Sequence, residues 1–131
     1  MQAIRRGDIY HRFFTTTQPP KDKFFVIVGE DAKCYVGYFF INSNINAFVQ
    51  RSEAMQNMQF PLKPSDYPFL SHLSFVAGHQ LAKLPKEELL QELYSGEAQY
   101  KGRMSESDIE LLLNAARNSP LFSEREKEFF R

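Results

Sequence analysis

Seven side chains scattered along this 131-residue chain are of the types that handle a phosphodiester: Arg12, Lys23, Asn42, Ser43, Asn44, His72 and Ser74. Cutting RNA without a metal needs such a mixture. A base must activate the 2′-hydroxyl, cations must neutralise the charge building on phosphorus, and an acid must protonate the leaving oxygen. Arg12 and Lys23 supply charge, His72 an imidazole, and the amides and hydroxyls hydrogen bonds. The sequence alone does not say that they converge. Asn42-Ser43-Asn44 also suits an ordinary turn, because Asn and Ser are common turn residues.

Most other chemistries leave no trace. The six glycines are dispersed and form no phosphate-binding loop, and no G-x-S-x-G or H-E-x-x-H pattern occurs. Cys34 is the only cysteine, so an internal disulfide and a multi-cysteine zinc site are excluded. The histidines are His11, His72 and His79. Seven residues apart on one inferred strand, His72 and His79 face opposite sides unless a bulge intervenes, which argues against a histidine-only metal site. No metal and no cofactor is expected. The glutamates of 87–92 and 124–128 read as solvated helix faces.

Sixteen basic residues balance sixteen acidic ones, so no global field steers the chain to nucleic acid or an acidic membrane. The first 23 residues are mildly basic, with Arg5, Arg6, Arg12, Lys21 and Lys23 against Asp8 and Asp22. The N-terminal segment MQAIRRGDIYHRFF lacks an apolar signal core, and no stretch is long enough to span a membrane. The expectation is a cytoplasmic protein with no membrane partner.

These side chains must be positioned by strands. Ile9 to Phe14 alternates Ile9, His11 and Phe13 against Tyr10, Arg12 and Phe14. After the loop TTTQPPKD, Lys23 to Val28 is a continuous apolar run, as in a strand covered on both sides. Gly29-Glu30-Asp31 turns the chain into a third strand, Cys34 to Ile41, making an antiparallel hairpin; Cys34 reads as a small buried hydrophobe within it. Residues 52–59 form a short helix with Met55 and Met58 inward, and Pro61, Pro64 and Pro68 impose an irregular path. Leu70 to Leu84 returns to strand, with a bend or bulge at Gly78-His79.

From Pro85 the pattern is helical. Leu89, Leu90, Leu93 and Tyr94 make one apolar stripe, stopped by Ser95-Gly96. A second helix starts at Ser105 with Asp108 in capping-box spacing and buries Ile109, Leu112, Leu113 and Ala116; Ser123 and Glu126 cap a third. The expected fold is α+β in one domain, 1–131: a small, strongly curved antiparallel barrel over about 1–84 with C-terminal helices over about 85–131.

The order of these pieces resembles the MazF/PemK-like ribonuclease toxins of type II toxin–antitoxin systems. Arg6-Gly7-Asp8-Ile9-Tyr10 is similar to their opening strand, and Lys23-Phe24-Phe25-Val26-Ile27-Val28 to their second. Asn42-Ser43-Asn44-Ile45 resembles the strand end where the family carries a Thr-Ser or Thr-Asn pair, and Tyr67 to Leu70 with Ser74 to Val76 a later core strand. The resemblance covers roughly the first two thirds of the chain. It implies an SH3-like barrel, a homodimer, metal-independent cleavage of single-stranded RNA, and a cognate antitoxin whose tail occupies the RNA groove. It implies catalytic roles for Lys23, as phosphate ligand, and Ser43, as a hydrogen-bond donor to the transition state. Arg12, Asn42, Asn44 and His72 are the expected RNA contacts. Lys23 departs from the family's arginine and Phe24 from its proline. Lysine lacks the planar fork that grips phosphate through two bonds. The alternative is a catalytically degenerate SH3-like barrel that binds RNA or a protein.

Overall fold

The computed structural model describes residues 3–131. Its centre is a seven-stranded antiparallel sheet in which β1 (Asp8–Phe14), β2 (Lys21–Glu30) and β3 (Tyr35–Asn42) are consecutive neighbours. The far edge of β3 is shared. Its C-terminal end pairs β5 (Ser74–Ala77), through Ile41↔Val76 and Asn42↔Phe75. Its N-terminal half pairs β6 (Ala82–Pro85). β4 (Gln59–Leu62) lies outside β5, and β7 (Ala98–Arg103) lies outside β1. Among the described residues no pairing joins β4 to β7, so the sheet is open. Pro61 is tolerated because β4 is an edge strand.

Antiparallel partners share a face, and alternate residues sort β2 between two covers. Ile9, Val26, Phe39, Ile41 and Val76 face α4 (Glu106–Arg117), which contributes Ile109, Leu112, Leu113 and Ala116, together with Phe122 and Phe130. Tyr10, Phe14, Phe25, Ile27 and Tyr38 face α3 (Lys86–Ser95), whose Leu89 is fully buried. A sheet covered on both sides is why KFFVIV reads as an unbroken apolar run. It also accounts for the many phenylalanines, which meet edge-on, as Phe14 does with Phe25 (centroids 5.4 Å apart) and Phe40 (4.9 Å).

The C-terminal segment is fastened across the β2–β3 hairpin. The Arg6 guanidinium donates to the carbonyls of Val28 (2.8 Å), Phe129 (3.0 Å) and Arg131 (2.6 Å), and Arg117 donates to that of Phe130 (2.6 Å). The approach is close enough that a Cβ on Gly29 would lie 1.6 Å from the Phe129 oxygen.

Several helical expectations hold at residue level. The Ser105 hydroxyl accepts from the Asp108 amide, and the four expected residues of α4 are buried. Ser123 and Glu126 form a reciprocal capping box on α5 (Glu124–Lys127). Gly96 ends α3 in the left-handed conformation, with φ +88°. The inferred 52–59 helix is shorter, with Ser52 capping α2 (Glu53–Gln56) after α1 (Ala47–Gln50), and Met58 buried.

Other expectations are corrected. Cys34 is exposed, in the turn before β3, with φ +66°. Asp31 builds that turn, its Oδ1 accepting from the amides of Lys33 and Tyr35. The strand expected over 70–84 is two short strands, 74–77 and 82–85, that both pair with β3 and are parted by a turn at the expected Gly78-His79. The Gly78 amide donates to the Met58 carbonyl (2.8 Å), extending the β4–β5 register by one pair. Tyr94 is 88% exposed and forms no part of the buried stripe of α3. Strands do not all precede helices: β7, for which the sequence shows no signal, follows α3 and pairs with β1. The architecture is α+β, without the closed barrel. Among the described residues no helix is long and apolar enough to cross a membrane.

Candidate functional site

A cleft of about 570 Å³ opens where β2 begins and β3 ends. Lys23, Asn42, Ser43, Asn44, His72 and Ser74 all line it, so six of the seven side chains singled out in the sequence meet there. They arrive from three places: the start of β2, the end of β3, and the connection leading into β5. Phe24, Ile41 and Leu70 provide an apolar floor.

The register explains the grouping. His11↔Phe24, Phe24↔Ile41 and Ile41↔Val76 form one row across four strands on the α4 face. One residue along, Arg12↔Lys23 and Asn42↔Phe75 point to the α3 face. The cleft lies at the strand ends and collects side chains from both faces.

Lys23 is half-buried. Its ammonium donates to Oδ1 of Asn42 and sits 5.0 Å from the centroid of the Phe40 ring. Burial lowers its pKa from the ordinary lysine value, and the positive charge of Lys21 lowers it further. The lysine therefore has one hydrogen-bond partner already in place and remains beside the cleft.

The polar run after β3 is a strand-to-helix connection. Asn46 is consumed structurally, its Oδ1 accepting from the Phe48 amide to cap α1 (2.6 Å). Ser43 and Asn44 are exposed, and among the described residues neither side chain enters a hydrogen bond within the chain. Their donors and acceptors are open to the cleft. His72 is held by its neighbours: Nδ1 lies 3.0 Å from the Ser71 hydroxyl, and the Ser74 hydroxyl donates to the His72 carbonyl (3.1 Å). Ser74 itself is buried, so its role is to hold the loop.

Arg12 is not in the cleft. It makes a two-bond ion pair with Glu92 of α3 (2.6 and 2.9 Å), with its guanidinium 4.6 Å from the centroid of Phe14. It pins α3 to the sheet on the opposite face.

Five polar cleft residues are outside the candidate set drawn from the sequence: His11, Lys21, Asp22, Asn46 and Ser71. His11 is the most telling, with its ring against Phe24 (centroids 4.7 Å apart). Its alternation with Ile9 placed it on a strand face, but only the β1–β2 register puts that face in the cleft. His79 lies elsewhere, against Gln59 (2.9 Å), with burial lowering its pKa.

The charges around the cleft are Lys21 and Lys23 against Asp22, a local excess of cation in a chain with none overall. Amides, hydroxyls and imidazoles supply the remaining polar atoms. Among the described residues no three His, Cys, Asp or Glu side chains gather as a metal site. This arrangement can hold an anionic group against the lysines, hydrogen-bond a heterocycle through Asn42 and Asn44, and pack an apolar face on Phe24 and Leu70. No family model and no curated protein matches the chain.

Proposed function

We propose that this cleft binds single-stranded RNA and that the protein is a toxin-like, metal-independent endoribonuclease of the MazF/PemK type. The observation that carries the reading is the meeting of Lys23, Asn42, Ser43, Asn44 and His72 in one cleft. Phosphate contacts position a nucleic acid and base-edge contacts specify it; the lysines suit the first role and the carboxamides the second. Lys23 binds phosphate as a point charge, and Ser43 donates to the oxyanion of the transition state. The order of Arg6–Tyr10, Lys23–Val28 and Asn42–Ile45 supports the family assignment. The finer fold in this proposal is SH3-like in strand arrangement, a barrel left open between β4 and β7, supported by the β1–β2–β3 meander and by β3 sharing one edge between two strands. A cytoplasmic homodimer and a cognate antitoxin whose tail competes for the cleft complete the proposal.

The test is induced expression of wild type beside Lys23→Ala and Ser43→Ala, with cellular RNA mapped for cuts. Wild type slows growth and cuts RNA, and both variants lose the effect while accumulating to wild-type levels. Wild type that leaves growth and RNA unchanged overturns the enzyme reading. One observation favours a second reading, in which RNA is bound but left intact: the Lys23 ammonium already has Asn42 as partner and lies over Phe40. Purified protein that retards an RNA oligonucleotide without shortening it decides for that reading.

A further inference from the structure

Resting on the RNA-cleaving reading, the geometry points to His11 and His72 as the two proton-transfer groups of the site. Histidine is the side chain whose unperturbed titration lies nearest neutrality, and general acid–base catalysis works best there. The cleft holds two of the chain's three histidines. They come from separate walls, His11 from β1 and His72 from the connection into β5. Between those walls lies the floor made by Phe24 of β2 and Ile41 of β3. With β2 and β3 intervening, β1 and β5 stand roughly 14 Å apart if each strand spacing is about 4.8 Å. The two imidazoles line the same cleft as that floor, one from β1 and one from the connection into β5.

Both rings are held in place. His11 packs on Phe24, and His72 has Nδ1 against the Ser71 hydroxyl with its backbone tied by Ser74. In His72 this leaves Nε2 for substrate. The charged groups beside the rings are Lys21, Asp22 and Lys23 of β2; the end of β3 brings only neutral amides and Ser43. On the other side of β1, Gln99 of β7 pairs with His11, and Lys101 lies two residues further along. His11's neighbour Arg12 is engaged by Glu92 on the opposite face.

The step balances without a co-reactant. One neutral imidazole takes the proton of the 2′-hydroxyl as that oxygen bonds to phosphorus. The other, protonated, gives its proton to the 5′-oxygen as the phosphorus–O5′ bond breaks. The products are a 2′,3′-cyclic phosphate and a 5′-hydroxyl, and the imidazoles regain their starting protonation through solvent. Lys23 and Ser43 face the non-bridging oxygens.

The experiment is the pH profile of cleavage of a single-stranded RNA oligonucleotide in excess chelator, for wild type, His11→Gln, His11→Phe and His72→Ala. His11→Phe keeps an aromatic ring on Phe24 and separates packing from proton transfer; thermal melting checks that each variant folds. The expected wild-type profile is a bell. Each variant loses at least about a hundredfold in rate and one limb of the bell. Added imidazole restores part of the His72→Ala rate. Wild-type cleavage with variants that keep rate and bell overturns the histidine assignment and leaves the ribonuclease reading standing. Wild type that cuts at no pH from 5 to 9 overturns that reading, and the assignment with it.

Discussion

The ammonium of Lys23 on β2 donates to the side-chain oxygen of Asn42 on β3, joining the two candidate RNA contacts across the hairpin. The bond orients the amide, leaving its NH₂ for a base edge, and holds the lysine at the cleft wall in a partly desolvated position. The residue expected to bind phosphate is therefore part of the scaffold for the residue expected to read a base.

This arrangement predicts the titration of Lys23. Burial and Lys21 both disfavour the charged ammonium, so its folded pKa falls below 10.5. Between the folded and unfolded values the unfolded chain binds more protons, so this group's penalty on folding is relieved as pH rises through that window. Measured by the ¹³Cε shift of labelled lysine, the Lys23 midpoint should lie below 10.5. A midpoint at or above 10.5 contradicts the described environment.

Ser43→Ala and Asn44→Ala separate function from stability. Both residues are exposed at the end of β3. Each substitution should change unfolding free energy by less than about 0.5 kcal/mol, measured in urea. Ser43→Ala should lower RNA cleavage at least about tenfold, as loss of a hydrogen bond to a charged group requires, and Asn44→Ala should weaken RNA affinity by about 0.5–1.5 kcal/mol, as loss of one to a neutral base does. Loss of stability in step with activity would assign the segment a structural role instead.

Gly29→Ala tests the docking of the C-terminal segment. The added Cβ would overlap the Phe129 carbonyl, and backbone must move to admit it. Overpacking of this kind costs about 3 kcal/mol, read as a lower urea midpoint. It should also expose Phe129 and Phe130, now buried, to proteolysis near the C-terminus. Unchanged stability would contradict the close approach.

The central strands and α4 were legible because strong local patterns agreed with their burial. KFFVIV announced a strand covered twice, and the spacing of Ile109, Leu112, Leu113 and Ala116 announced one helical stripe. β7 was hidden because AQYKGR is an edge strand with only Ala98 fully buried, so its pairing to β1 leaves no alternation to read. Cys34 was misplaced because Asp31, a side chain outside the apolar run, sets where the turn ends.

In the site the limit was the register between strands. Lys23, Asn42, Ser43 and His72 could be named from type and order. Arg12 has the same chemistry as a phosphate ligand, but its partner is decided by Glu92, eighty residues away on α3. His11 shows the converse. One position from Arg12, it faces the cleft because β1 pairs with β2 through His11↔Phe24.

The most direct test of the account is to map where RNA sits, using amide shift perturbation with a 2′-O-methyl oligonucleotide that cannot be cut through its 2′-oxygen. The predicted result is saturable shifts at Lys23, at Asn42 to Asn46 and at Ser71 and His72, with the outer face of α3 and β7 unmoved. Shifts confined to α3 and β7, or no saturable shift at all, would contradict the claim that this cleft is the RNA site.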